Sequence, residues 1–479
     1  MPTMGIKTNL LGGFAFGLLF AANVYAAQDQ TDESNLIARG SYLATASDCI
    51  ACHSAPKGKP FAGGLAISTP LGTIYSTNIT PSKDAGIGQY TEEEFSRALR
   101  AGIRRDGANL YPAMPYTSYA KFTDVDIHAL YAYFMHDVAS VDEHGPVTQL
   151  PFPMNIRLSM KAWNFLFLDR HQFVSDPSRS AEWNRGAYLA QGAAHCSTCH
   201  TPRGFLMQEN SGSELGGADV GSWHAPNITS DLLSGIGSWS QAETVEYLRT
   251  GRIDGKAQAA GSMAEAIEHS FQHLTMDDLN ALAAYVRSVP PVRDPNDKVS
   301  RFENGKKLPT LGMLRGTDGI TNDMQAQLSG AALFQGSCAS CHSAKAEGSS
   351  DGYYPSLFHN STTGASNPSN LIATILYGVD RTTPQGQAFM PGFGGKASDA
   401  NQLSDSDIAL LGNYVLQQFG RGDITITTQQ VTQVRNGGAP SNLIILARAG
   451  ILIVLIVMLV ALAYLFRKRR YRVRSTALN

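Results

Sequence analysis

The sequence predicts an all-α fold of three tandem domains, followed by one membrane-crossing helix near the C-terminus. Three observations predict it. A Cys-x-x-Cys-His motif occurs three times and uses every cysteine in the chain. Short signatures recur at an offset of 149 residues, which marks an internal repeat. An uncharged apolar run of eighteen residues, 449–466, lies close to the C-terminus.

The motif copies are Cys49-Ile-Ala-Cys52-His53, Cys196-Ser-Thr-Cys199-His200 and Cys338-Ala-Ser-Cys341-His342. Two thiols three positions apart can add to the two vinyl groups of one haem. The adjacent histidine then falls where its imidazole can bind the iron. Cys49, Cys52, Cys196, Cys199, Cys338 and Cys341 are therefore candidate attachment residues, with His53, His200 and His342 as candidate iron ligands for three covalent haem c groups. Zinc would need further ligands that no other cysteine can supply. A disulfide scaffold gives a repeated terminal histidine no role. A thioredoxin-like redox pair would not recur three times in a repeat of this kind.

The repeat sets the domains. Asn78-Ile-Thr80 recurs as Asn227-Ile-Thr229, and Gly86-Ile-Gly88 as Gly235-Ile-Gly237. Each segment closes in an amphipathic stretch with an acidic start, at 124–134, 275–286 and 404–416. The order helix, Cys-x-x-Cys-His motif, loops and closing helix resembles a small all-helical cytochrome c domain. Such domains are expected at 34–140, 181–290 and 325–421, with boundaries in Pro-containing stretches at 141–180 and 291–325. Residues 420–439 read as a tether. Both Asn-x-Thr sites match a glycosylation pattern, but read better as loop residues bonded to backbone or to haem propionates.

A haem iron used for electron transfer usually keeps a second protein ligand, and a methionine thioether opposite histidine raises its potential. Met114 and Met263 stand 149 residues apart, so the repeat makes them equivalent; Met390, in Phe389-Met-Pro-Gly-Phe393, holds the corresponding place in the third segment. Proline beside Met114 and Met390 stiffens the loop. His269, His273 and Met276 lie near Met263, and a histidine there is the alternative ligand. His128 and His195 read as ordinary polar residues.

At the N-terminus, Lys7, an apolar stretch from Leu10 to Val24 and small residues up to Ala27 form a signal-peptide pattern, expected at 1–26. At the other end, the apolar run extends upstream to give a transmembrane helix at 443–466. Arg467, Lys468, Arg469, Arg470, Arg472 and Arg474 follow it. Such a cluster stays cytoplasmic. The expectation is a single-pass protein of the bacterial inner membrane, with its haem domains in the periplasm and its C-terminus in the cytoplasm. A net charge of −2 argues against nucleic acid as a partner.

The three motifs, Leu110-Tyr-Pro-Ala-Met-Pro-Tyr116, the paired Asn-Ile-Thr and Gly-Ile-Gly signatures and Tyr353-Tyr-Pro-Ser-Leu357 together resemble the triple-haem cytochrome c subunits of bacterial membrane-bound sugar and alcohol dehydrogenases. Tyr377-Gly-Val-Asp-Arg381 and the C-terminal helix look most like subunits serving flavin-dependent dehydrogenases for fructose, gluconate and related polyols. Subunits of quinoprotein alcohol and aldehyde dehydrogenases are similar. The resemblance implies a large dehydrogenase subunit carrying FAD or PQQ, a small third subunit, and ubiquinone as acceptor. No Gly-x-Gly-x-x-Gly fingerprint is present, so substrate oxidation is expected elsewhere, not in this chain. Electron donation to a terminal oxidase, and a peroxidase with an open iron position, are the rival readings.

Overall fold

A computed structural model describes residues 32–308, 322–395 and 402–476, so the expected signal peptide lies outside the described residues. In the first module, helix α1 (32–46) leads directly into the short helix α2 (Cys49–His53). A hairpin follows, β1 (Ala66–Thr69) and β2 (Gly72–Tyr75), then α3 (Glu92–Ala101), α4 (Tyr116–Tyr119) and the closing helix α5 (Asp124–His136). The acidic starts seen in the sequence follow N-terminal capping residues. Thr91 and Glu94 form a capping box on α3, and the Thr123 side chain accepts from Asp126 N on α5.

After a linker containing α6 (Ser159–Phe167), the second module repeats the plan. It has α7 (Ala181–Gln191), α8 (Cys196–His200), the hairpin β3 (Ala218–Val220) and β4 (Trp223–Ala225), then α9 (Gln241–Thr250). A minimal hairpin, β5 (Arg252–Ile253) and β6 (Ala257–Gln258), precedes α10 (Gly261–His269) and the closing α11 (Met276–Val286). The third module comprises α12 (Asn322–Ser337), α13 (Ala339–His342), α14 (Ser369–Tyr377), the hairpin β7 (Val379–Thr383) and β8 (Gly386–Met390), and α15 (Asp405–Phe419). The all-α expectation thus needs correcting: helices dominate, but each module carries antiparallel two-stranded hairpins.

Within each module the first and closing helices cross at a glycine. A Cβ on Gly40 would lie 2.0 Å from Ala129 O, and one on Gly186 would lie 1.9 Å from Ala281 O. At Gly330 it would meet Tyr414 Cβ at 2.6 Å. Only hydrogen fits there, so the glycine fixes how closely the two helices approach.

The first two modules share one core, in which Leu43, Phe122, Leu130, Leu189, Leu279 and Leu282 are almost fully buried. Their contact is reciprocal. Arg39 Nε donates to Asp126 Oδ1 at 2.7 Å, and Tyr188 of the second module donates to the same carboxylate. Conversely, Arg185 makes two 2.7 Å bonds to Asp278, and Tyr42 of the first module donates to it at 2.6 Å. Each buried aspartate therefore has an arginine from its own module and a tyrosine from the other, which compensates its desolvation.

The third module has a separate core around Phe334, Ile372, Leu411, Leu416 and Phe419. It joins the second through Arg381, whose Nη1 donates to Ala259 O at 2.6 Å, and through paired 2.8 Å bonds between Asn370 and the His224 backbone. The expected tether at 420–439 is partly folded instead. Helix α16 (Thr428–Arg435) packs Val431 and Val434 into this core and ties Arg435 to Asp405 at 2.7 Å. The chain then enters α17 (Leu443–Thr476), whose segment Leu443–Lys468 contains an eighteen-residue apolar window of mean hydropathy 3.0, none of it buried. At 1.5 Å per residue its 26 residues span about 39 Å, enough to cross a bilayer.

Gly186→Val forces the α7–α11 crossing apart. It should cost about 2 kcal/mol or more and lower the thermal unfolding midpoint by several degrees, measured by circular dichroism.

Candidate functional site

Each Cys-x-x-Cys-His motif forms one short helical turn just after the first helix of its module. In the first two modules a residue in the left-handed region ends the preceding turn: Asp48 at φ 51° and His195 at φ 35°. In the third, Cys338 itself caps the turn at φ −121°. None of the six cysteines is disulfide-bonded. Burial pushes the Cys196 and Cys338 thiols up to about 12 and raises Cys49 as well, so these are not activated thiolates.

The three histidines are held identically. His53 Nδ1 donates to Thr77 O at 2.6 Å, His200 Nδ1 to Pro226 O at 2.7 Å and His342 Nδ1 to Pro355 O at 2.9 Å. A carbonyl can only accept, so the proton sits on Nδ1 and the Nε2 lone pair is left free for a metal. Burial lowers the pKa of His53 and His342, and takes His200 to about 4, although the carbonyl bond opposes the shift. All three rings are thus neutral at pH 7.

The repeated signatures build the loop that supplies the acceptor. Thr77 and Pro226 each stand one residue before Asn-Ile-Thr. Asn78 Oδ1 accepts from Thr80 N and Oγ1 at 2.9 and 2.7 Å, while its Nδ2 donates to Val141 O at 2.7 Å. Asn227 repeats this with Thr229, at 2.9 and 2.7 Å, and with Val292 O at 2.6 Å. Both asparagines are buried, with backbone partners of the kind the sequence suggested. Gly-Ile-Gly packs on the same loop: Cβ atoms on Gly86 and Gly235 would each lie 2.2 Å from the carbonyl of Thr80 or Thr229.

In the second module a cavity of about 480 Å³ is lined by Cys196, Cys199 and His200 and also by Met263. Its size suits an organic cofactor. His269, His273 and Met276 are exposed and do not line it, so of these four residues Met263 alone shares the cavity with His200. Met114 is half-buried against the core that also holds Cys49, and Met390 against the core that holds Cys338. His128 is exposed and bonds Glu92 at 3.0 Å, as an ordinary polar residue would. His195 is half-buried and lines the cavity beside Cys196.

Three residues of this cavity carry no motif signal. Among the described residues Trp239 Nε1 is buried without a partner, and Tyr247 lies against the same space. Arg301 enters from the stretch expected to be a linker and donates to the carbonyls of Asn227, Ser234 and Gly235 at 2.7, 2.5 and 3.3 Å. Burial lowers it to about 10, with Asp297 opposing, so it remains a cation. A carboxylate-bearing ligand would meet both a cation and an orphan indole N–H. Among the described residues no three His, Cys, Asp or Glu side chains converge as a zinc-type set.

A neutral histidine aimed at a cavity, two cysteines on the same turn and a methionine lining the same space describe a covalent haem binder. The chain belongs to the cytochrome c family, whose description is matched three times in succession, at residues 37–136, 184–290 and 328–419. It is 49% identical over 422 residues to a fructose dehydrogenase cytochrome subunit of Gluconobacter japonicus, covering 88% of this chain and 86% of the relative. It is 38% identical over 443 residues to the cytochrome c subunit of a quinone-type alcohol dehydrogenase from Gluconobacter oxydans, with coverage of 89% and 87%. To a gluconate 2-dehydrogenase cytochrome c subunit of Pantoea cypripedii the identity is 37% over 439 residues, covering 89% and 93%.

Asn227→Ala removes the acceptor for Thr229 and the donor to Val292 O. It should destabilise the second module by about 1–3 kcal/mol, read as an earlier step in denaturant unfolding, while Asn78→Ala acts on the first.

Proposed function

We propose that this chain is the electron-transfer subunit of a membrane-bound, flavin-dependent sugar or polyol dehydrogenase, carrying three covalent c-type haems and passing electrons to ubiquinone. The observation that carries the reading is the 49% identity, over nearly the whole chain, to a fructose dehydrogenase cytochrome subunit, against 38% to the alcohol dehydrogenase relative. The reading includes a large catalytic subunit and a small third subunit as partners. It also sets α17 across the inner membrane, with the modules in the periplasm and the basic end in the cytoplasm.

Haem c, when bound, supplies one-electron iron chemistry; the chain supplies position and potential. Cys49 and Cys52, Cys196 and Cys199, and Cys338 and Cys341 would fix each group by thioether bonds. His53, His200 and His342 would ligate through Nε2, held in register by their carbonyl acceptors. Met114, Met263 and Met390 would complete the coordination and raise the potentials. Arg301 and Trp239 would meet propionates in the second cavity. Helix α10, which carries Met263, packs on the attachment helix α2 of the first module, so two of the proposed sites lie against each other.

The mature protein should exceed its polypeptide mass by three haems, and a Cys196→Ala, Cys199→Ala variant by two, read by intact mass spectrometry. Met263→Leu should lower one of three midpoint potentials by on the order of 0.1 V in spectroelectrochemical titration and leave the other two in place. Purification in mild detergent through a tag on this chain should bring a large subunit with flavin. Recovery of PQQ instead would move the partner to the alcohol or aldehyde group, and oxidase subunits with neither cofactor would refute the dehydrogenase assignment.

A further inference from the structure

The linker between the first two modules presents an apolar face that no module covers. Phe152, Leu158, Phe165 and Leu166 are 50%, 70%, 86% and 63% exposed, and Phe205 of the second module is 67% exposed. Trp163 Nε1 donates to Leu206 O at 2.9 Å and so joins α6 to the Phe205 loop. A contiguous exposed patch of this kind marks an interaction surface.

The patch is held rigidly from behind. Asn164, on the opposite side of α6, is buried; its Oδ1 accepts from Tyr116 Oη at 2.7 Å and its Nδ2 donates to Ala101 O at 3.1 Å. Arg157 donates to Asn109 O at 2.8 Å and stacks over the Tyr111 ring at 4.5 Å. Tyr111 Oη in turn donates to Met154 O at 3.0 Å. The apolar side chains are thus aimed outward by a segment that is itself fastened to the Met114 loop.

Its height relative to the anchor is fixed by one further bond. Arg448 Nε donates to Phe152 O at 2.9 Å. Arg448 is five residues inside the apolar helix Leu443–Lys468, about 7.5 Å along its axis from Leu443. The patch therefore stands beside the module-side end of that helix. Between Glu143 and Asp169 the chain carries Arg157 and Lys161 and no carboxylate. Aromatic and aliphatic side chains with basic neighbours and no acid suit an interfacial segment resting among phospholipid headgroups and upper acyl chains.

We propose that the 152–168 segment, with Phe205 and Leu206, dips into the module-side leaflet of the bilayer that α17 crosses, seating the first module against the membrane. The proposal rests on α17 spanning that bilayer, and the test reads the two separately. The full-length holoprotein is reconstituted in phospholipid vesicles containing a phosphatidylcholine with an acyl-chain diazirine, irradiated, digested and mapped by mass spectrometry. Adducts are expected on α17 and on the 152–168 and 205–206 peptides. In Phe165→Glu, Leu166→Glu, whose altered positions are exposed, patch labelling should fall severalfold while α17 labelling and haem absorbance stay unchanged. Labelled α17 with an unlabelled patch overturns the proposal. Absence of label on both shows that α17 does not span and overturns the anchor reading with it. Crosslinking of the patch to a co-purifying subunit, without lipid adducts, assigns the face to a protein partner and also overturns the proposal.

Discussion

The hydrogen bond from histidine Nδ1 to a main-chain carbonyl is the constraint around which each module is arranged. It needs a carbonyl brought to the ring from 13 to 26 residues farther along the chain. In the first two modules that demand is met by an asparagine that locks its own loop, and by glycines that let a second loop lie backbone to backbone upon it. In the third, Pro355 within Tyr353–Leu357 provides the carbonyl without an Asn-Ile-Thr. Three modules thus reach one electronic result, a neutral imidazole with a free Nε2, through two different local structures.

The parts legible in the sequence were those governed by local chemistry or by the repeat. Cys-x-x-Cys-His occupies one helical turn, and threonine or serine before paired aspartates capped the closing helices where their acidic starts placed them. Met263, which the common offset makes equivalent to Met114, lines the same cavity as His200, and His269 and His273 do not. The hairpins are not legible in the sequence because strands of two to five residues leave no alternation to detect. Arg301 was hidden in a stretch dominated by proline and charge, since its role depends on carbonyls more than sixty residues away. Residues 420–439 read as a tether because Val431 and Val434 form too short an apolar pattern to announce a helix.

The outer segments do more than connect. The stretch after the second module supplies Arg301 to the cavity and Phe302 to the shared core, where Phe302 packs on Trp239 with ring centroids 5.6 Å apart. The stretch after the third module wraps back on α14 and α15 before the chain reaches α17. Module boundaries drawn at prolines therefore cut through side chains that complete a neighbouring site. A cut at residue 290 would leave the second cavity without its arginine.

The exchange of tyrosines between the first two modules is an isologous contact within one chain: Tyr42 reaches Asp278 as Tyr188 reaches Asp126. Pseudo-two-fold pairing of this kind is closed. Each partner uses the same face, and once both faces are consumed there is no copy left for a third unit. The third module had to attach through other chemistry, and it does so with Arg381 and Asn370, residues outside the signatures repeated in the first two modules. Point-group closure in the first pair thereby accounts for the asymmetry of the whole: a fused dimer with a differently bonded third member.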